Sequence, residues 1–195
     1  MIQSRLEGFS GPSPLAEGAL RPAEDCRLCG LCEGRTRLVL PSGDPGSRVA
    51  FVGEAPGETE DLTGMPFVGR SGKLLDRLMA EAGLDRSRVM ITNTVKCRPP
   101  GNRAPTEGEM AACRGFLESE LCGKALVVGL GRSACRDLLG YEGRMGDLAN
   151  RKTRISVSGR EIDFLPAYHP AACIYSRAST DSLRETLRRV RDEYL

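Results

Sequence analysis

Residues 48–53 read Arg-Val-Ala-Phe-Val-Gly and run directly into Glu-Ala-Pro-Gly at 54–57. A short apolar run that ends at a glycine predicts a strand buried on both faces, as in a parallel sheet. Apolar runs at 89–95 and 125–130 predict two more such strands, and segments with helical apolar spacing separate them. This alternation predicts an α/β protein with three αβα layers around a central, mostly parallel sheet.

Local signals predict the remaining elements. They indicate helices at 74–82, at 106–121 after a capping box, at 133–139 and at the C-terminus, and a hairpin of 154–157 with 162–166. Residues 54–69 are expected to form a loop. In sheets of this kind ligands bind beyond the carboxyl ends of the strands, so the loops that follow the strands are the candidate site.

Length and composition indicate a single domain. A chain of 195 residues can bury one α/β core, which we expect at 23–195, after a flexible arm at 1–22 rich in glycine and proline. The net charge of +2 is nearly neutral, so nucleic-acid binding would depend on local basic clusters. The sequence shows neither a stretch of transmembrane length nor a hydrophobic signal core, which favours the cytoplasm and no membrane contact.

The cysteines are the strongest chemical signal. Cys26 and Cys29 form a C-x-x-C pair, and Cys97 and Cys113 form a wide pair further along the chain. In a reducing cytoplasm such thiols are ligands or core residues. Four converging thiolates suit either a structural zinc ion or an iron–sulfur cluster, and spacing alone does not decide between them. The other cysteines are Cys32, which is ambiguous, and Cys122, Cys135 and Cys173, which are expected to be buried.

The wide cysteine pair brackets a basic segment, Lys-Cys-Arg-Pro-Pro-Gly-Asn-Arg at 96–103. Its cations, Lys96, Arg98 and Arg103, are expected to contact nucleic-acid phosphates. Further basic clusters lie at 151–154 and 184–191, and we interpret the second as the solvated face of a helix. Metal or cluster binding by the cysteines would then fix a basic loop in place.

Candidate site residues stand where the predicted strands end. The turn at 53–57 offers backbone N–H groups and Glu54, although many such turns only connect a strand to a helix. Phe67 is either a platform for a base or a plug for the core. Asn93 carries an amide that matches the edge of a uracil ring, or it caps a turn. His169, the only histidine, precedes a proline and is either a hydrogen-bond donor at the rim of a site or a structural residue.

Residues 129–134, Gly-Leu-Gly-Arg-Ser-Ala, fit the dinucleotide fingerprint G-x-G-x-x-G/A. They come late in the chain, with too little βαβ structure after them and no clear acidic partner at a strand end. We therefore interpret these glycines as close packing of a strand and a helix, where the helix N-terminus suits a DNA phosphate.

Together these pieces resemble the family 4 uracil-DNA glycosylases, the iron–sulfur branch of that superfamily. Each piece is weak alone, but their order is highly specific, and the resemblance runs from about Cys26 to the C-terminus. The pieces are Cys26-x-x-Cys29, GEAPG at 53–57, PFVG at 66–69, NTVKCRPPGNR at 93–103, Cys113 and His169-Pro170.

The resemblance implies a uracil-DNA glycosylase-like fold and a [4Fe–4S] cluster. The implied ligands are Cys26, Cys29, Cys97 and Cys113, with Cys32 outside the set. The implied reaction is hydrolysis of the N-glycosidic bond of deoxyuridine in uracil-containing DNA, by a monomer that flips the base into its pocket.

The resemblance also implies roles for the residues at the strand ends. Phe67 would stack on uracil and Asn93 would read its edge, while backbone N–H groups at Gly53 would hold O2 or the attacking water. Glu54 would orient or deprotonate water, and His169 would donate to O2 of the leaving base. Such electrostatic stabilisation is usually the largest part of catalysis.

DNA contacts are implied for Arg98, Arg103 and Ile174, the last as an apolar wedge. The chain departs from the family after His169-Pro170, since Tyr175 stands where a basic residue is expected. Two other interpretations remain open. One is an iron–sulfur module that binds uracil in DNA without cleaving it, and the other is a zinc-containing nucleotide-binding protein that uses residues 129–134.

Overall fold

The computed structural model describes residues 20–195. Its strands are β1 (Ser42–Gly43), β2 (Val49–Gly53), β3 (Met90–Asn93), β4 (Leu126–Leu130), β5 (Thr153–Val157) and β6 (Arg160–Ala167). Over the described residues they form one six-stranded sheet in the order β1-β3-β2-β4-β6-β5. Strands β2, β3, β4 and β6 run parallel, whereas β1 and β5 pair antiparallel at the two edges. The prediction of a mostly parallel sheet is confirmed.

Helices cover both faces of this sheet. They are α1 (Glu58–Thr63), α2 (Arg70–Glu81), α3 (Glu107–Leu121), α4 (Arg132–Leu139), α5 (Met145–Leu148), α6 (Pro170–Cys173) and α7 (Arg177–Tyr194). Val49 and Phe51 of β2 pack in one core cluster with α2 and α7, while Ala50 and Val52 pack in another with α3. Because successive side chains of a strand point to opposite faces, β2 is the buried centre of three layers, as predicted.

The prediction of a loop at 54–69 is wrong in its middle, where α1 forms. Gly57 is the N-cap of this helix, and the Glu60 carboxylate accepts the Gly57 N–H at 3.2 Å. The buried residues of α1 are the acidic Glu60 and Asp61, so no apolar stripe marks the helix in the sequence. The predicted hairpin and the capping box of α3 are both confirmed.

Lys96 does not lie on a nucleic-acid surface as predicted. Its side chain is fully buried, and its ammonium lies 2.6 Å from Glu120 Oε2 on α3. It also donates to Thr92 Oγ1 at 2.8 Å and to the carbonyl oxygen of Asn93 at 2.7 Å. Because Glu120 lies 24 residues further along the chain, the basic segment at 96–103 does not by itself indicate this pairing. This network ties the carboxyl end of β3 to α3.

Two smaller predictions have different outcomes. Cys135 and Cys173 are buried as expected, but Cys122 is exposed because it lies just beyond the last residue of α3. Residues 1–19 of the predicted arm lie outside the described residues. Among residues 20–195, no helix has both the length and the apolar character needed to cross a membrane.

Replacing Glu120 tests the buried ion pair. Glu120→Ala leaves the Lys96 ammonium unpaired in the core, and we expect a loss of about 3–5 kcal/mol in the free energy of unfolding. The matched control is Glu118→Ala on the same helix, which removes only a hydrogen bond from Ser158 at the surface. Urea unfolding measures both variants. A Glu120→Ala protein as stable as the control would contradict a stabilising role for the pair.

Candidate active site

Three predicted site residues, Gly53, Phe67 and Asn93, meet at the carboxyl ends of β2 and β3. The two strands are parallel neighbours, and Gly53 is in register with Asn93. A β-carbon at Gly53 would lie 2.5 Å from Asn93 Oδ1 and would clash with the Phe67 ring. Only glycine therefore allows the ring and the amide to approach each other over this strand end.

Asn93 carries a buried acceptor without a partner. Its side chain is 2% exposed, and within the described residues its Oδ1 accepts no hydrogen bond. Leaving a buried polar atom unpaired costs about 1–3 kcal/mol. Such an atom beside an aromatic ring, at the ligand edge of the sheet, suits a ligand that donates an N–H in the plane of the amide.

Phe67 is held in a strained backbone conformation, with φ at 55°. A non-glycine residue in this region costs of order 1–3 kcal/mol and persists only where its surroundings impose it. Arg86 donates to the carbonyl oxygens of Pro66 at 2.6 Å and Phe67 at 3.1 Å. The ring is buried, which fits the core-plug interpretation, yet its edge lies at the strand end beside Asn93.

Glu60 joins the two loops of the site, a role that no sequence motif predicts. Its carboxylate accepts the N–H groups of Val68 at 2.9 Å and Gly69 at 2.7 Å, besides that of Gly57. The loop that carries Glu54 is thereby fixed to the loop that carries Phe67. The only sequence signal is the position of Glu60 three residues after a glycine N-cap.

Glu54 is half-buried at the first turn of this site. Its carboxylate accepts a short hydrogen bond from the Ser133 hydroxyl, which comes from the start of α4. Its carbonyl oxygen accepts the Thr94 hydroxyl at 2.6 Å, so the turn after β2 is tied to the chain after β3. Ser133 was predicted only as part of the G-x-G-x-x-A segment, and its contact with Glu54 depends on the order of strands.

His169 is the N-cap of α6, and its ring faces Phe67 with 5.7 Å between ring centroids. Its Nδ1 accepts the Ala171 N–H at 3.1 Å, so in the neutral imidazole the proton is on Nε2. Burial lowers the pKa of His169 below 6.5, and the negative charges of Glu54 and Glu60 oppose this only in part. The imidazole is therefore a neutral donor near neutral pH.

The glycines of residues 129–134 serve close packing, as predicted, though against other partners. A β-carbon at Gly129 would clash with the Phe164 ring of β6. Gly131, with φ at 88°, leaves room for His169, whose Cβ would lie 2.8 Å from a β-carbon there. The second glycine thus positions the histidine loop.

The four predicted ligand cysteines lie in one apolar cluster. Cys97 and Cys113 are buried in it, and Cys26 and Cys29 pack against it half-buried, whereas Cys32 is not among its members. Burial raises the pKa of Cys97 to about 11 and also raises that of Cys113. These thiols would therefore stay protonated near neutral pH unless a metal replaced the proton.

Arg35, which no sequence motif predicts as a site residue, lies next to these thiols. It lies 3.5 Å from Cys97 Sγ and donates to the carbonyl oxygen of Cys26 at 2.8 Å. Within residues 20–195, no three cysteine, histidine or acidic side chains are grouped closely enough to hold one metal ion. Four thiols that share one apolar cluster suit either an iron–sulfur cluster or a structural zinc ion by their chemistry.

The residues predicted to bind DNA contact other parts of the protein in this structure. Arg98 donates to Asn102 Oδ1 at 2.8 Å within its own loop. Arg103 makes a bidentate pair with Glu109 at 2.6 and 2.8 Å, and Ile174 is half-buried against the core. Arg98 and Arg103 still flank the loop that follows β3, next to the cysteine cluster.

The comparisons with known proteins agree with this arrangement. Residues 40–191 match the family model of the Uracil DNA glycosylase superfamily. A type-4 uracil-DNA glycosylase of Sulfurisphaera tokodaii is 38% identical over 86% of this chain and 79% of its own length. One of Thermotoga maritima is 40% identical over 79% of this chain and 80% of its own. A type-5 uracil-DNA glycosylase of Thermus thermophilus is 37% identical over only 55% of this chain and 56% of its own.

The type-4 relatives match most of this chain, as the predicted resemblance implies. The arrangement of side chains at the ends of β2 and β3 fits the same family. This chain belongs to the uracil-DNA glycosylase superfamily, in its type-4 branch.

Proposed function

We propose that this protein hydrolyses the N-glycosidic bond of deoxyuridine in DNA, releasing uracil and leaving an abasic site for repair. The observation that carries this proposal is Asn93 Oδ1, which is buried beside the ring of Phe67 and has no hydrogen-bond partner in the described part of the chain. Family membership and the names of the type-4 relatives support the same reaction. A base inside a duplex is out of reach of such a pocket, so the nucleotide must be flipped out of the stack.

Asn93 selects the base by its hydrogen-bonding edge. Oδ1 accepts from N3–H of uracil, and Nδ2 donates to O4. Cytosine has an unprotonated N3 and an amino group at this edge, so Oδ1 stays unpaired and the amide and amino donors face each other. Phe67 supplies an aromatic face at the same strand end, and stacking on this face does not distinguish one base from another. Selectivity therefore resides in Asn93.

His169 and Glu54 act on the two charges that develop as the bond breaks. The electron pair of the C1′–N1 bond leaves on uracil, and the neutral Nε2–H of His169 donates to O2 of that anion. Water adds to C1′, and Glu54 orients it and accepts its proton. The carboxylate of Glu54 also stabilises the positive charge on the sugar, and Ser133 fixes its orientation.

Cys26, Cys29, Cys97 and Cys113 would hold a [4Fe–4S] cluster. The bound cluster supplies a covalent link between the segment at 26–29, the loop after β3 and α3 rather than a step of the reaction. Held in this way, the loop after β3 places Arg98 and Arg103 beside the DNA backbone. Arg103 then shares its guanidinium between Glu109 and a phosphate. Ile174 would contact the DNA from the wall of a groove that Val68 and Arg70 also line.

A cleavage assay on an oligonucleotide with a single uracil tests the proposed function. We expect an alkali-labile site at the uracil, and its loss in Glu54→Ala. Coloured protein that binds this DNA without cleaving it would replace the proposal with the binding-module interpretation. Colourless protein that binds a dinucleotide instead would favour the zinc interpretation.

Asn93→Asp tests base selection. A carboxylate accepts from the amino group of cytosine and repels O4 of uracil, so we expect the ratio of kcat/KM for uracil over cytosine to fall by about 10- to 100-fold. Single-turnover assays on matched oligonucleotides measure the ratio. The control is Asn93→Ala, which should lose uracil excision without gaining cytosine. An unchanged ratio in Asn93→Asp would remove Asn93 from this role.

The protonation of His169 can be observed directly, because it is the only histidine of the chain. Its pKa in the folded protein is lowered, so the neutral form persists below pH 6.5 and folding stability falls as pH drops from 6.5 toward the folded pKa. NMR titration of untagged protein should show an Nε2–H tautomer at pH 6.5. An imidazolium at that pH would contradict a neutral donor.

Cys97→Ser tests the cluster. Since ligand binding is coupled to folding, we expect loss of the absorbance near 400 nm, loss of iron and a lower thermal midpoint. Cys122→Ser is the matched control because Cys122 is exposed and outside the cysteine cluster. Equal iron content in the two variants would show that Cys97 is not a ligand.

A further inference from the structure

The segment between α6 and α7 holds an exposed tyrosine in a fixed position. α6 has His169 as its N-cap and Ile174 as its C-cap, and α7 has Ser176 as its N-cap. Tyr175 is the single residue between the two caps. Its N–H donates to the carbonyl oxygen of Ala172 at 3.3 Å, so its backbone is held by the same short helix that His169 caps. α6 therefore connects Tyr175 to His169, the proposed hydrogen-bond donor to the leaving base.

Tyr175 presents an exposed aromatic side chain at this corner. Cys173 is buried, and Ile174 is half-buried against the core cluster of α2 and α7. Tyr175 is 81% exposed, the most exposed large hydrophobic side chain among residues 20–195. Moving Ile174 out to serve as a wedge would remove it from the core, whereas Tyr175 already stands free of it.

One basic side chain contacts the tyrosine, and two more lie on the same helix. The guanidinium of Arg70 lies 5.7 Å from the centroid of the Tyr175 ring and within 3.5 Å of its hydroxyl. Arg70 begins α2 directly after the loop that holds Phe67. Together with Lys73 and Arg77 it lines a groove of about 560 Å³ whose other wall includes Cys173 and Ile174. Three cations along one helix supply the positive charge that attracts a nucleic-acid backbone.

We propose that Tyr175 stacks on a base of the duplex beside the flipped uracil, with the phosphates of that strand along Arg70, Lys73 and Arg77. This inference rests on the proposed function, since it needs a flipped nucleotide. Flipping leaves a gap in the stack, and an aromatic ring can fill it against any neighbouring base. The contact with Arg70 holds the ring in place before DNA binds. The aromatic residue thereby takes over the wedge position expected of Ile174.

The inference predicts a difference between duplex and single-stranded DNA. A single strand has no stacked gap to fill, so Tyr175→Ala should lower the excision rate at subsaturating enzyme by about tenfold on duplex and by less than about twofold on single strands. Tyr175→Phe keeps the ring and should behave as the wild type. Leu62→Ala, which removes an exposed apolar side chain of α1, is the control. Equal effects of Tyr175→Ala on both substrates, or no effect on either, would overturn the inference.

A binding measurement separates this inference from the proposed function. The probe is a duplex with a non-hydrolysable 2′-fluoro analogue of deoxyuridine and 2-aminopurine as its neighbour, which fluoresces when it is unstacked. With saturating wild type or Tyr175→Phe the fluorescence should stay low, and with Tyr175→Ala it should rise. Identical fluorescence for all three would overturn the stacking role even if uracil is excised. A wild type that leaves uracil in place on both DNA forms would reject the proposed function instead.

Discussion

The buried carboxylate of Glu60 is the contact on which the rest of the site depends. It accepts three backbone N–H groups, from Gly57, Val68 and Gly69, and so joins the loop after β2 to the loop before α2. Hydrogen bonds to a charged acceptor are stronger than neutral ones, at about 1.5–3 kcal/mol each. They hold Phe67 in a conformation that its backbone would not otherwise keep, and they fix the turn from which Glu54 reaches Ser133.

The site is organised before any ligand binds, and each device that organises it has a cost. Phe67 is strained, Asn93 Oδ1 has no hydrogen-bond partner among residues 20–195, and Lys96 is buried with Glu120 behind the strand end. Real proteins keep such costs at functional sites, where the ligand or transition state recovers them. His169 follows the same logic, because burial favours its neutral form and its hydrogen bond from Ala171 leaves the other nitrogen to donate. A preorganised neutral donor needs no rearrangement when charge develops on the base.

Local sequence patterns predicted the layers, three parallel strands, the hairpin and the capping box of α3, because these depend on near neighbours. The identity of the site came from the order of several weak motifs rather than from any one of them. Long-range pairs could not be predicted: Lys96 looks like a phosphate ligand until Glu120 is placed next to it, and Ser133 looks like part of a nucleotide fingerprint until β4 lies beside β2. Helix α1 was missed because its buried residues are carboxylates whose partners are backbone N–H groups.

The binding of free bases measures the role of Asn93 most directly, since it involves neither DNA contacts nor bond cleavage. Titration calorimetry of the wild-type protein should show binding of uracil, while 3-methyluracil, in which a methyl group replaces the N3–H donor, should bind at least about tenfold more weakly. That difference would show that the unpaired Oδ1 of Asn93 accepts from N3–H of the base. Equal binding of the two compounds would contradict the assignment of this pocket as a uracil-reading site.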